Sequence, residues 1–508
     1  MRTLRALRTG VGLLCGWLGA GAGTTIAAES GFGFETVRAR ARELAGRPLR
    51  PAPDDVPAWL KRLSYDDMRR IEFDGRHSFW LREKLPFQLQ FLHPGFLHTQ
   101  TVHLEEVRGG RAAPIAFRRE YFQYRGLEVG EVPATMGFAG FRLMYPLGGP
   151  GTDLSEAGAF VGASYFRFLS RGSAYGLSAR GLALDTGEAT PEEFPRFTEY
   201  WFERPAADGR SLAMYALLES ESVTGAYRFA VEPGETTVVR VKASVFVRKG
   251  VKVFGVAPLT SMFWRGENTP RGAEDFRPEV HDSDGLLLRT GAGEWIWRPL
   301  ANPRHTRVSS FADENPRGFG LLQRDRDFEN YQDLEARYHA RPSAWVEPVG
   351  DWGRGAVRLL EIPTRSETDD NIAVLWVPAR TPAAGESVEL EYRLHWALAG
   401  IAPPGGFVRA TRHGNSAIYE PGFERFVVDF EGAKLRALGP EAEVEHALTV
   451  GAGAALKHGG VQRNPINGTW RVSFMLKPDG SGRPVELRCF LKSGADTLTE
   501  TWSYLWQP

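Results

Sequence analysis

T-T-V-V-R-V-K-A-S-V-F-V, residues 236–247, alternates apolar and polar side chains over most of its length. In an extended chain, successive side chains point to opposite faces. This stretch therefore puts Val239, Val241, Ala243 and Val245 on one face and Arg240, Lys242 and Ser244 on the other. That is the pattern of a half-buried strand in an antiparallel sheet. Similar short runs flank it: F-Q-L-Q-F-L (87–92), T-V-H-L-E-E-V (101–107), A-F-V-G-A-S-Y-F-R-F-L (159–169) and S-L-A-M-Y-A-L-L (211–218). No alternation of strands with long helices appears, which argues against a doubly wound fold. The reading is all-β.

Before these runs, residues 34–72 read as helical. Val37, Ala41 and Leu44 fall on one face, and Ser64-Tyr65-Asp66-Asp67 has the form of a capped helix start. After them, P-A-R-T-P-A-A-G-E-S (378–387) has the composition of a linker. Shorter strand-like runs follow, from V-E-L-E-Y-R-L-H-W (388–396) through R-F-V-V-D-F, T-W-R-V-S-F-M-L and V-E-L-R-C-F-L to L-T-E-T-W-S-Y (498–504). Their number and size suit a small immunoglobulin-like sandwich. The expected organisation is a leader at 1–28, a large β-sandwich at 29–380 and the smaller sandwich at 388–508.

The leader reading rests on Arg2, Arg5 and Arg8, an apolar stretch from Val11 to about Gly23, and the small residues Ala27-Ala28. The apolar run is short for a membrane span, so the mature chain is expected to be exported and soluble. The chain carries 62 basic and 62 acidic residues, and losing three Arg with the leader leaves it near neutral. Such a balance gives no pull toward nucleic acid or an anionic membrane. Cys15 leaves with the leader, and Cys489 has no partner for a disulfide. No Cys-His metal spacing occurs, and no cofactor or metal is expected. Aromatic residues are abundant (14 Trp, 14 Tyr, 31 Phe), which suits a large β core and equally a surface for sugar rings.

Four clusters carry chemistry-capable side chains. The first is E-I-P-T-R-S-E-T-D-D-N-I-A-V-L-W (361–376), with Glu367, Asp369 and Asp370 just before the strand-like run that follows Asn371. Acids on a loop at the mouth of a strand are held by a rigid element, although Asp and Asn also favour plain turns. The second is R-P-E-V-H-D-S-D-G (277–285), with Glu279, His281, Asp282 and Asp284. It reads as a hydrated turn or an incomplete calcium loop, and His281 has no partner His at a ligand spacing. The third is G-E-W-I-W-R-P-L (293–300), where Trp295 and Trp297 share one strand face as core or as a sugar platform. The fourth is D-L-E-A-R-Y-H-A-R-P-S-A-W (333–345), with Arg337, Tyr338, Arg341 and Trp345. No G-x-S-x-G, P-loop or dinucleotide fingerprint is present. Two acid-rich loops, with Trp, Tyr and Arg, supply the parts that glycoside hydrolysis requires: a proton donor, a second carboxylate and aromatic seating.

Many stretches in order resemble the periplasmic glucan biosynthesis protein G/D family. They include G-F-A-G-F-R-L-M-Y-P, G-A-S-Y-F-R, Y-G-L-S-A-R-G-L-A-L-D-T, E-E-F-P-R-F, G-V-A-P-L-T-S-M-F, R-P-E-V-H-D-S-D-G-L, E-W-I-W-R-P-L, R-P-S-A-W-V-E-P, E-T-D-D-N-I and E-T-W-S-Y. The likeness runs from about Phe32 to the C-terminus, and the absence of a twin-Arg leader favours the G branch. The resemblance implies a galactose-mutarotase-like sandwich followed by an immunoglobulin-like one. It further implies a periplasmic role in making glucans with a β-1,2-linked backbone, through inverting endo-β-1,2-glucanase activity. On this resemblance Asp370 is the general acid and Asp282 the general base, with Glu367 and Tyr338 at the catalytic centre. Arg341, Trp345, Trp295 and Trp297 are the further candidates for substrate contact. The alternative is a non-catalytic glucan-binding factor serving a membrane glucosyltransferase, and a homodimer is open. For Asp370 to act as an acid near neutral pH its pKa must be raised, and Glu367 and Asp369 are the expected cause by like-charge repulsion.

Overall fold

The computed structural model describes residues 31–508 except 50, 53, 150, 270–274, 416–419 and 440–441. The expected leader and Cys15 lie outside the described residues. From Phe32 to Pro508 the chain forms one compact unit.

Strand Thr236–Val247 is where the alternation placed it. It pairs antiparallel with Val223–Glu232 on one side and Ser387–Ala397 on the other. Val239, Val241, Ala243 and Val245 are fully buried, while Arg240 and Lys242 are exposed. The alternation ends at Ser244 and Phe246, both buried on the outer face. Helix Phe34–Ala45 covers that end, packing Phe34, Val37 and Ala41 against Phe246, Trp201 and Tyr215. The helical region then breaks into the short helices Ala58–Lys61 and Tyr65–Met68, and Ser64 Oγ accepts the Asp67 N–H at 3.1 Å as an N-cap.

Two large sheets enclose the main core. One has ten strands and the other fifteen. Their facing aromatics interleave: Phe160 and Phe166 lie 5.3 and 5.4 Å from Phe229, and Phe141 lies 5.0 Å from Tyr200. Each fully buried Phe contributes on the order of 1.5–3 kcal/mol by leaving water. The fold is an all-β sandwich.

Strand Ser387–Ala397 corrects the linker reading. It pairs with Thr236–Val247 and with Ser343–Pro348, in the middle of the fifteen-stranded sheet. Residues 378–387 are therefore the connection from strand Ile372–Pro378 of one sheet into the other. Period two says that a run is a strand but not which strand it joins.

A second core lies under the C-terminal strands. Phe426, Phe474, Leu487, Cys489 and Trp502 meet Leu287, Trp297, Leu322 and Trp345 from the large sheet. Strand Thr501–Trp506 extends that sheet, pairing in parallel with Trp295–Pro299. The C-terminal region is stapled down by Arg324, whose guanidinium donates to both oxygens of the fully buried Glu500 at 2.5 and 2.9 Å. The same guanidinium sits 3.6 Å from the Trp297 ring and donates to Val408 O at 2.9 Å.

Removing one partner of a buried ion pair leaves an uncompensated charge. Glu500→Ala is expected to lower the unfolding free energy by ~3–5 kcal/mol in urea denaturation of the protein; a loss below ~1 kcal/mol would show that the staple carries little.

Candidate active site

Strands Arg354–Glu361 and Ile372–Pro378 form an antiparallel pair that closes at Glu361 opposite Ile372. Residues 362–371 are the loop between them. Its polar side chains fold it onto itself: Thr364 Oγ1 donates to Asp369 Oδ2 at 2.8 Å, and Ile362 N–H donates to Asn371 O at 2.9 Å. Asn371 ends the loop. Its buried side-chain amide accepts the Phe263 N–H at 2.8 Å and donates to Phe263 O at 3.0 Å and Ile362 O at 2.9 Å. Asp370, the residue before it, is held by this clamp.

The second acid hangs from the same place. Strand Val280–His281 pairs with Phe263–Arg265, and the Asp282 N–H donates to Met262 O at 2.8 Å. The Phe263 ring stacks on the His281 ring at 5.3 Å. Met262 O and the Phe263 N–H are the two ends of one peptide unit, so Met262 and Phe263 form a joint that takes the Asp282 backbone at one end and the side chain of Asn371, the neighbour of Asp370, at the other. Gly285 closes the H-D-S-D-G stretch because a Cβ there would lie 2.4 Å from Trp297 Cζ2.

Around this joint the distant sequence clusters converge. Arg341 forms an ion pair with Asp282 Oδ1 and lies 4.2 Å from the Tyr338 ring. The Tyr338 hydroxyl donates to Glu367 Oε2 at 2.5 Å, and Arg277 donates to both oxygens of Glu367 at 2.7 and 3.3 Å. Arg277 also reaches Asp333 at 2.7 Å. Asp282, Arg341, Tyr338 and Glu367 thus form one chain of contacts. Arg277 was not among the candidates; a lone Arg before Pro278 gives no sequence signal of its partner.

Burial pushes the Asp282 carboxyl above its usual range, and the charge of Asp370 adds to this while Arg341 opposes it. The Asp370 residue is open to water on the surface, yet enough protein surrounds its carboxyl that desolvation raises it too. Arg167, Arg180 and Arg341 hold it down, and Asp369 raises it. Asp369 thus acts as expected, but Glu367 is not among the main influences on Asp370: its charge is paired with Arg277, which also holds its own carboxyl below the usual value.

His281 is fully engaged. Gln323 Nε2 donates to His281 O and Tyr338 O at 2.9 and 3.2 Å, which turns its Oε1 to accept from His281 Nδ1 at 2.9 Å. Nε2 donates to Glu279 Oε2 at 2.8 Å, with Asp284 Oδ1 at 3.4 Å. Burial disfavours the charged ring, but Asp284, Glu279 and Glu267 outweigh it and raise the pKa to about 9. Glu279, His281 and Asp284 are spaced closely enough to hold a cation, their ligand atoms lying within 4.8 Å of one another. With both ring nitrogens donating, the imidazolium itself neutralises the carboxylates.

The tryptophans go elsewhere. Trp297 and Trp345 are 3% and 5% exposed and belong to the second core, so they are not a sugar platform. Trp295 stacks on Trp345 at 5.8 Å and lines a cavity of about 480 Å³ with Glu294, Pro403 and Leu498, which shares no residue with the acid pair. Cross-strand aromatics covering glycine strands read the same in sequence as exposed ones.

Residues 32–506 match the family model described as "Periplasmic glucan biosynthesis protein, MdoG". The chain is 48% identical over 486 residues to "Glucans biosynthesis protein G" of Ralstonia nicotianae, covering 94% of this chain and 96% of that one. It is 42% identical to the proteins of the same name from Pseudomonas aeruginosa, covering 93% and 92%, and from Sodalis glossinidius, covering 96% of each chain.

Asn371→Ala strips three hydrogen bonds, two of them buried, from the joint and its loop. A destabilisation of ~2–4 kcal/mol is expected in urea unfolding, against a change within ~0.5 kcal/mol if the amide were an ordinary surface group.

Proposed function

Because this chain belongs to the periplasmic glucan biosynthesis protein family MdoG, we propose that it serves that biosynthesis as an inverting endo-β-1,2-glucanase. A part in glucan biosynthesis follows from the membership; the hydrolytic reading is supported by the acid pair. The observation that carries it is the joint at Met262–Phe263, which seats two carboxylates from distant sequence within reach of each other's charge. In this reading the glucan lies across the loops, and Asp370 protonates the leaving glycosidic oxygen. Asp282 accepts the proton of the attacking water, and attack from the opposite face inverts the anomeric carbon. Glu367 and Tyr338 hold the centre in shape, and Arg341 favours the ionised form of Asp282.

A second reading, a glucan-binding factor for the membrane glucosyltransferase, draws on the Asp282–Arg341 ion pair, which occupies the proposed base. Asp370→Asn separates the two. Incubated with linear β-1,2-glucan, it should release short oligomers ~10²–10⁴-fold more slowly than the parent; undiminished release sinks the acid assignment. Restoration of glucan in a null strain by the same variant would favour the binding factor.

The pH profile follows from the shifts. The acid must hold its proton, so activity falls as pH rises through the raised Asp370 value. The base must be ionised, so activity falls as pH drops through that of Asp282. Asp369→Asn removes a group that raises Asp370, and the alkaline limb should move to lower pH. Arg341→Met removes a cation that lowers both acids, and both limbs should move up. Limbs that stay in place in both variants would remove these two carboxyls from the rate-limiting chemistry.

A further inference from the structure

Beside the strand that begins after Asp370, strands Tyr165–Phe168, Ser178–Arg180 and Phe254–Ser261 lie side by side in the ten-stranded sheet. Phe166, Phe168 and Ala179 enter the core. Tyr165, Arg167 and Arg180 occupy the opposite face, Arg180 directly across from Tyr165. Thr260, which pairs with Ala373 on the strand that follows the acid's loop, accepts from Arg180 Nε at 3.2 Å. This row therefore leads up to the acid.

Arg180 is nearly buried and is spent on structure: it donates to Glu192 Oε1 at 2.5 Å and lies 5.1 Å from the Tyr165 ring and 5.5 Å from the Phe194 ring. Phe194 belongs to E-E-F-P-R-F. Glu192 bonds Arg180, Glu193 bonds the Ser222 N–H and hydroxyl at 2.8 and 2.6 Å, and Phe197 is core. Phe194 alone is turned out, 48% exposed, with a guanidinium behind it. Single exposed apolar residues are common on any surface. This one is distinguished by the face it shares: Arg180 links it to Tyr165, and two residues along Tyr165's strand Arg167, half-buried against the Tyr175 ring at 5.8 Å, has a guanidinium that makes no hydrogen bond or ion pair among the described residues.

We propose that Phe194, Tyr165 and Arg167 form a sugar subsite on the acid's side of the site, where a pyranose ring lays its apolar C–H face on Phe194 and its hydroxyls meet Arg167. The proposal rests on the reading that this site takes glucan. It gives the carbohydrate an aromatic seat that the buried tryptophans do not supply. The charges agree with the placement: Asp370 and Tyr165 feel each other, and Arg167 is the strongest cationic influence on the Asp370 carboxyl.

Calorimetric titration of the full mature chain with linear β-1,2-glucan tests it. Phe194→Ala should weaken binding ~tenfold, Arg167→Met several-fold, and Phe194→Trp should bind like the parent, all at an unchanged melting temperature. The subsite is overturned if Phe194→Ala binds as the parent does, if Phe194→Trp is as weak as Phe194→Ala, or if the parent does not bind. Oligomer release measured on the same proteins separates the two readings. A parent that binds through Phe194 yet releases nothing ends the hydrolase reading and keeps the subsite. A parent that hydrolyses while Phe194→Ala keeps full affinity does the reverse.

Discussion

The clamp of the Asn371 amide on both backbone groups of Phe263 is the contact on which the site depends. It substitutes a side chain for one more rung of the sheet ladder, just where strand Ile372–Pro378 gives way to a loop. One residue away, Met262 O takes the Asp282 N–H. Two loops far apart in sequence are thereby referred to the one peptide unit between Met262 and Phe263. Backbone placed this way has little freedom, because each buried bond that breaks exposes unpaired donors or acceptors. The carboxyls at its two ends inherit that rigidity, which is what proton transfer in a defined geometry needs.

The electrostatics follow from the same packing. Acidic groups are concentrated around the joint, and they are divided among three cationic partners, with Asp370 left over. Arg277 takes Glu367, Arg341 takes Asp282, and the buried imidazolium of His281 lies among Glu279, Asp284 and Glu267. Asp370 feels Arg167, Arg180 and Arg341 but makes no close ion pair among the described residues, and it stays open to water. Two acids with the same chemistry are thus set apart by surroundings, one held against an Arg and one crowded but accessible.

The all-β class and the edge of helix Phe34–Ala45 were legible because periodicity is a local property. The motif acids were legible as clusters, and the E-T-D-D-N and H-D-S-D-G stretches do come to one joint. The tryptophans were not legible. Trp295 and Trp297 share a face as expected, but whether that face meets water or another layer is decided by strands that return more than a hundred residues later. Gln323, Arg277 and Arg167 gave no local sign, since each acts through partners brought near only by folding.

The sequence by itself determined the strand class, the family likeness and the two acid motifs, because alternation and motif residues are written within a few positions of each other. The tertiary structure alone decided which strands pair, which aromatics are core, and that Asp282 and Asp370 share the Met262–Phe263 joint. Those outcomes depend on contacts between segments with no fixed spacing along the chain, where burial and hydrogen-bond satisfaction, rather than local propensity, select the partner.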